Sequence, residues 1–277
     1  MIDADQELIA ELRSGPLPEK LDPSEIQRAL EAGVATALDL KDAANAKRFL
    51  GALESQPESA SRYIAQGRLE LIEGALPNAK VSLEAALRLD TDSLDAMHWL
   101  AIAEHRSGED DSARLRVREI LKRNPRFLLA IDDEMQFAVD RRDFRTAVSA
   151  QLTRVAVMRD PPASEYCRLG LIWLSMSNLA EAESALLKGI LKDPYSYACH
   201  VGLGQLYWRS GRLPQARDNF EWVVRFFPDT DVNTFTSLAA VYNALGDKKT
   251  ALSILRKGIR LFPDNGELRK VDSLLVE

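Results

Sequence analysis

Small residues punctuate the apolar stretches of this chain at an interval of about 34 residues. A Gly or Ala is followed by an Ala twelve residues on, and often by a Pro about twelve further, from Ile26 to Asn265. Leu, Tyr and Phe fill the positions around them, the arrangement expected where two antiparallel helices cross closely and leave no room for a branched side chain. A mid-helix Gly costs about 1 kcal/mol relative to Ala, so its recurrence reflects packing rather than helix propensity.

Anchored on these positions, the chain divides into seven helical hairpins at 26–59, 60–93, 94–127, 128–161, 163–196, 197–230 and 232–265. The eighth place holds Gly33, Gly67, Ala101, Met135, Gly170, Gly204 and Ala239; the twentieth holds Asn45, Ala79, Ala113, Ala147, Ala182, Ala216 and Ala251. Gly74, Gly108, Gly211 and Gly246 stand where a left-handed residue ends a first helix, and Pro125, Pro194, Pro228 and Pro263 where a second helix must stop. Residues 1–25 form a lead-in: an amphipathic helix over 3–13, the interruption Gly15-Pro16-Leu17-Pro18, and a helix start at Asp22, Pro23 and Glu25. Residues 266–277 supply a C-terminal capping helix with Leu268, Val271, Leu274 and Leu275 on its apolar side, suited to cover the face a terminal hairpin exposes.

The clearest copy reads Leu203-Gly204-x-x-Tyr207, then Ala216-x-x-x-Phe220, then Pro228, and resembles the tetratricopeptide repeat. The resemblance covers about 240 residues and implies an all-α, right-handed superhelical solenoid whose first helices line a concave groove and whose second helices form the back. It implies a non-enzymatic protein-interaction adaptor that holds a peptide or helical segment in the groove. The alternatives are a self-associating scaffold and the recognition arm of a larger enzyme. Projecting the family's groove positions onto this chain selects Arg68, His98, His105, Arg106, Asp132, Gln136, Asp140, Gln205, Trp208, Arg209, Asn233, Thr236 and Asn243 as partner-binding residues. Cys167 and Leu171 also fall on the rule, and Arg106 is expected to pair with Asp132 or Asp140. The Lys and Asn that chaperone-binding members use as a carboxylate clamp are missing from every matching pair of positions, which argues against co-chaperone activity.

The fourth unit breaks the pattern. Met135 replaces the small residue, Gln151 and Arg154 stand where apolar residues are expected, and Pro161-Pro162 adds one residue. The expectation is looser packing toward the fifth unit, a drifted repeat or a hinge.

Composition sharpens the functional range. The chain is 46% hydrophobic and 28% charged with a formal net charge of −6, an ordinary folded profile whose average surface repels a phosphate backbone, so nucleic acid is not the expected partner. No apolar run reaches the length of about 20 residues that a membrane span needs, and the residues after Met1 lack a secretory plan. Cytoplasm is the expected compartment, with periplasm if a signal has been trimmed. Cys167 and Cys199 are too few for a disulfide framework and read as small buried residues. No phosphate loop, nucleophile elbow or metalloprotease motif is present, so neither catalysis nor a cofactor is expected. His98 and His105 lie two turns apart, a poor spacing for one metal ion. Trp222 and Phe227 are a candidate self-association patch.

Overall fold

The computed structural model describes residues 22–229, 232–266 and 268–271. Fourteen helices are described: α1 Pro23–Asp39, α2 Ala43–Leu53, α3 Ala60–Ile72, α4 Leu76–Leu89, α5 Leu94–Arg106, α6 Asp110–Arg123, α7 Leu128–Asp140, α8 Phe144–Val157, α9 Ala163–Ser175, α10 Leu179–Lys192, α11 Tyr197–Arg209, α12 Leu213–Phe226, α13 Val232–Ala244 and α14 Lys248–Leu261. A further helix starts at Gly266. No strand occurs among the described residues. They form two compact units, Met1–Phe137 and Ala138–Glu277, each a stack of helical hairpins. The amphipathic helix expected over 3–13 lies outside the described residues, as do Leu274 and Leu275.

Local chemistry sets the helix ends. Asp22 accepts from the Ser24 backbone N–H ahead of Pro23, and Asp42, Ser59, Ser93, Asp143 and Asp247 cap α2, α3, α5, α8 and α14 in the same way. Gly74, Gly108, Gly211 and Gly246 turn the chain with φ between 72° and 85°, a region that glycine enters without a steric penalty. Lys41, Arg142 and Ser177 make the corresponding turns of the other hairpins at φ 57–60°. In the first hairpin the turn ends one residue later than expected. Ala46 is fully buried there, and Asn45, expected in that place, instead donates to the Asp42 carboxylate at 2.6 Å.

Within each hairpin the crossing brings the small residue onto a large one sixteen positions later: Gly33 onto Phe49, Gly67 onto Leu83, Gly170 onto Leu186 and Gly204 onto Phe220. A Cβ at Gly67, Gly170 or Gly204 would lie 2.5 Å from a carbon of that partner. In the first unit these pairs build a core around Leu30, Phe49, Leu83, Leu100 and Ile120. In the second unit one continuous cluster joins Leu186, Leu203, Phe220, Phe235 and Leu255. Leu268, fully buried, extends that cluster and packs beside Gly258, so the helix beginning at Gly266 covers the last hairpin.

One expectation is overturned in the second unit, and at another the structure adds polar contacts. Gln151 and Arg154, which break the apolar pattern of α8, both reach Glu165 of α9. Gln151, with no exposed surface, donates to the Glu165 backbone carbonyl at 2.9 Å and to its carboxylate at 2.8 Å. Arg154 donates to the same carboxylate at 3.0 Å. A buried charge held by two donors ties the helices together, because its partners replace the water it has lost. Cys167 and Cys199 are not separate thiols: they form a disulfide between α9 and α11.

Candidate functional site

In the second unit the end of α11 and the middles of α12 and α13 line an open cavity of about 440 Å³ formed by Gln205, Trp208, Arg209, Phe220, Thr236, Ser237, Ala240 and Val271. Four of the groove residues read from the sequence, Gln205, Trp208, Arg209 and Thr236, meet there. Trp208 keeps 41% of its surface exposed rather than packing into the core. Phe220, held against Gly204, is buried and supplies an apolar wall. Arg209 reaches back to the preceding hairpin, where it donates to the Leu174 carbonyl at 2.6 Å and the Ser177 hydroxyl at 2.8 Å. Its cation therefore sits near a helix C-terminus, which the helix dipole favours. Thr236 donates to the Asn233 carbonyl at 2.8 Å. Asn233 and Asn243 are exposed elsewhere on α13 and do not line the cavity.

Tyr207, next to Trp208 in the chain, is held by a polar cluster. Glu183 accepts both terminal nitrogens of Arg212 at 2.9 and 2.8 Å and the Tyr207 hydroxyl at 3.0 Å, and the Arg212 guanidinium lies 4.4 Å over the Tyr207 ring. The Arg212 hydrogen bonds hold the Glu183 carboxyl below its usual value.

The first unit uses its groove-position residues mainly on itself. Arg68 binds Asp39 at 2.6 Å and stacks 4.6 Å over Trp99, linking three successive first helices. His98 is not a groove residue: it is 3% exposed, and its Nδ1 lies 2.5 Å from Asp133 Oδ2. Burial raises the Asp133 carboxyl, with His98 opposing the shift. His105 lies 2.7 Å from Asp110 and stacks on Phe137 at 4.1 Å. The two histidines are thus engaged with different carboxylates. Arg106 donates to the Leu71 carbonyl at 3.1 Å, the counterpart of the Arg209 contact, one repeat apart in each case. Asp132 is half-buried, and Gln136 and Asp140 are exposed on α7.

Sequence reasoning assigned Phe220 to packing and Val271 to the cap, and passed over Ser237. Only the closure of α13 and the last helix over α11 makes them walls of one cavity. Trp222, the other aromatic singled out, is half-buried and stacks on His200 at 3.8 Å, beside Tyr195, Phe226 and Phe227.

Two models of the tetratricopeptide repeat match the chain, at residues 197–221 and 232–265, the stretches that carry most of the cavity wall. The chain carries tetratricopeptide repeats. Among curated proteins it is 24% identical over 230 residues, 80% of its own length, to the CTR9 homolog of Arabidopsis thaliana, of which the match covers 21%. The chain spans about a fifth of the length of the curated relatives it matches. Among solved structures it resembles PilF of Pseudomonas aeruginosa with a TM-score of 0.60 and 21% identity, over 77% of this chain and 96% of that one. It also resembles the C-terminal part of a tetratricopeptide-repeat protein from Cytophaga hutchinsonii with a TM-score of 0.67 and 14% identity, over 87% and 98%. The repeats mark the chain as a protein-interaction module. Among the described residues no helix is long and apolar enough to cross a membrane.

Proposed function

We propose that this chain is a non-enzymatic adaptor that seats a peptide or helical segment of a partner protein on the α11–α13 face, with one large apolar side chain of the partner inserted beside Trp208. The observation that carries this reading is the cavity itself. A volume of about 440 Å³ accommodates a large side chain, and its walls combine the rings of Trp208 and Phe220 with Ala240 and Val271. Water gains little from such a lining, and a partner's apolar anchor gains the burial.

The rim adds direction. Among the described residues nothing pairs with the Gln205 amide, the Ser237 hydroxyl or the Trp208 indole N–H, so a ligand backbone can satisfy them. Arg209 has no carboxylate partner among them and no acid lines the cavity, which favours an acidic residue close to the anchor.

Peptides selected from a random display library against the full chain test the reading. Bound peptides are expected to contain a large apolar residue and to lose about 30-fold in affinity for Trp208→Ala, the scale of a hot-spot residue. Ala240→Phe, which fills the cavity, is expected to lose similarly, with thermal unfolding of both variants close to wild type. Undiminished affinity in both variants would refute it. A second reading, self-association through Tyr195, Trp222 and Phe226, draws on the 67% and 48% exposure of Tyr195 and Phe226. It requires a dimer in light scattering that Trp222→Ser dissolves.

A further inference from the structure

The Cys167–Cys199 cross-link joins α9 to α11, the first helices of consecutive hairpins, at a Cα separation of 5.0 Å, well inside the range that a disulfide spans. Neither residue is accessible: Cys167 is 1% exposed and Cys199 has no exposed surface. The intervening helix is shaped around the pair. A Cβ at Gly189 of α10 would lie 2.2 Å from Cys199 Sγ and 3.0 Å from Cys167 Sγ, so three helices close on the two sulfurs and one has no side chain at that point.

We infer that Cys167 and Cys199 are an oxidation site used during folding, and that the chain matures in an oxidising compartment rather than in the reducing cytoplasm expected from the sequence. Exchange requires a thiolate to reach a sulfur atom. The folded helices deny that access from either side, so the bond forms before α9 and α11 close over Gly189. The co-reactant is a disulfide oxidant, either a thiol–disulfide oxidoreductase in its disulfide form or oxidised glutathione. One cysteine gives its proton to solvent, and its thiolate attacks the oxidant, forming a mixed disulfide and releasing one oxidant thiolate. The second cysteine, also deprotonated, attacks the first Sγ, forming the Cys167–Cys199 bond and releasing the other oxidant thiolate. The chain loses two protons and two electrons, and the oxidant takes up both as two thiols. A glutathione-reduced cytosol drives the same steps backward on the unfolded chain.

Once closed, the pair is a staple and not a switch. It holds the register of the fifth and sixth hairpins, and α11 carries Gln205, Trp208 and Arg209 to the cavity.

The test quenches thiol exchange by lysing the source cells in acid, then alkylates free thiols with iodoacetamide at about pH 8 in guanidinium, followed by intact-mass measurement of the full chain. The expected result is a chain with no alkylated cysteine and a mass two hydrogens below the fully reduced value; two alkylated cysteines would overturn the inference. A second measurement uses purified chain oxidised with a glutathione pair. In dithiothreitol, reduction is expected to be at least about 100-fold slower in native buffer than in guanidinium, because only opened molecules expose the sulfurs. Equal rates would overturn the claim that folding seals the bond.

Discussion

Leu186 offers the sharpest test of the packing argument, because two glycines press on it. A Cβ on Gly170 would lie 2.5 Å from Leu186 Cγ and 2.8 Å from its Cδ2, and a Cβ on Gly202 would lie 2.7 Å from Cδ2. Leu186 is fully buried, so it has little room to move away from an added Cβ. Replacing Gly170 by Ala gains about 1 kcal/mol of helix propensity. Overpacking costs about 1–3 kcal/mol, and the trapped side chain places this site at the upper end. The expected net is a loss of about 2 kcal/mol, or roughly 4–8 °C in Tm for a chain of this size. Gly51→Ala is the internal control: nothing lies within 4 Å of its Cβ, so only the propensity gain remains and stability rises by about 0.5–1 kcal/mol. Guanidinium unfolding followed by circular dichroism reads both. Trimming the partner closes the cycle, since Leu186→Val is expected to cost about 1 kcal/mol in the native background and almost nothing beside Gly170→Ala. If Gly170→Ala stabilises the chain as Gly51→Ala does, the close-approach account of the repeat is wrong.

Three other outcomes follow from the same geometry. Arg106→Glu is expected to lower stability by about 1 kcal/mol in thermal melts, because it removes a donor from the Leu71 carbonyl and puts an anion near the end of α3; a variant as stable as wild type would return Arg106 to the role of a simple groove residue. Glu165→Ala takes the shared acceptor from Gln151 and Arg154 and should cost about 3 kcal/mol, measurable as a lower guanidinium midpoint, whereas a hinge between α8 and α9 would tolerate it. Burial, and then the hydrogen bond to Glu221, push the Tyr242 hydroxyl from 10.0 up to about 12. The folded chain holds that proton more tightly, so its stabilising contribution is complete below pH 10 and is lost as pH rises toward 12; Tyr242→Phe should flatten that stretch of the stability profile and remove one late step from the ultraviolet titration at alkaline pH.

The sequence by itself determined the repeat, its period and most helix ends, because these depend on chemistry within a few residues or on spacing within one hairpin. Gly74, Gly108, Gly211 and Gly246 turn the chain as their spacing predicts, and Gly33, Gly67, Gly170 and Gly204 meet large partners sixteen residues on, across their own hairpins. The resemblance to the tetratricopeptide repeat also put Gln205, Trp208, Arg209 and Thr236 at groove positions, and the structure brings them to one cavity. What the sequence left open depends on contacts between successive hairpins, 11 to 35 residues apart in the cases below. His98 occupies a groove position, yet Asp133 of the next first helix reaches it and makes it an internal pair. Gln151 and Arg154 read as a loosened core until Glu165 supplies their common acceptor. Two cysteines read as too few for a disulfide framework, and it is the stacking of α11 beside α9, over a helix bare at Gly189, that brings the two sulfurs together. Tertiary structure decided these points because a side chain's partner, and therefore whether it is buried, paired or open to a ligand, is set by the neighbouring hairpin rather than by its own place in the period.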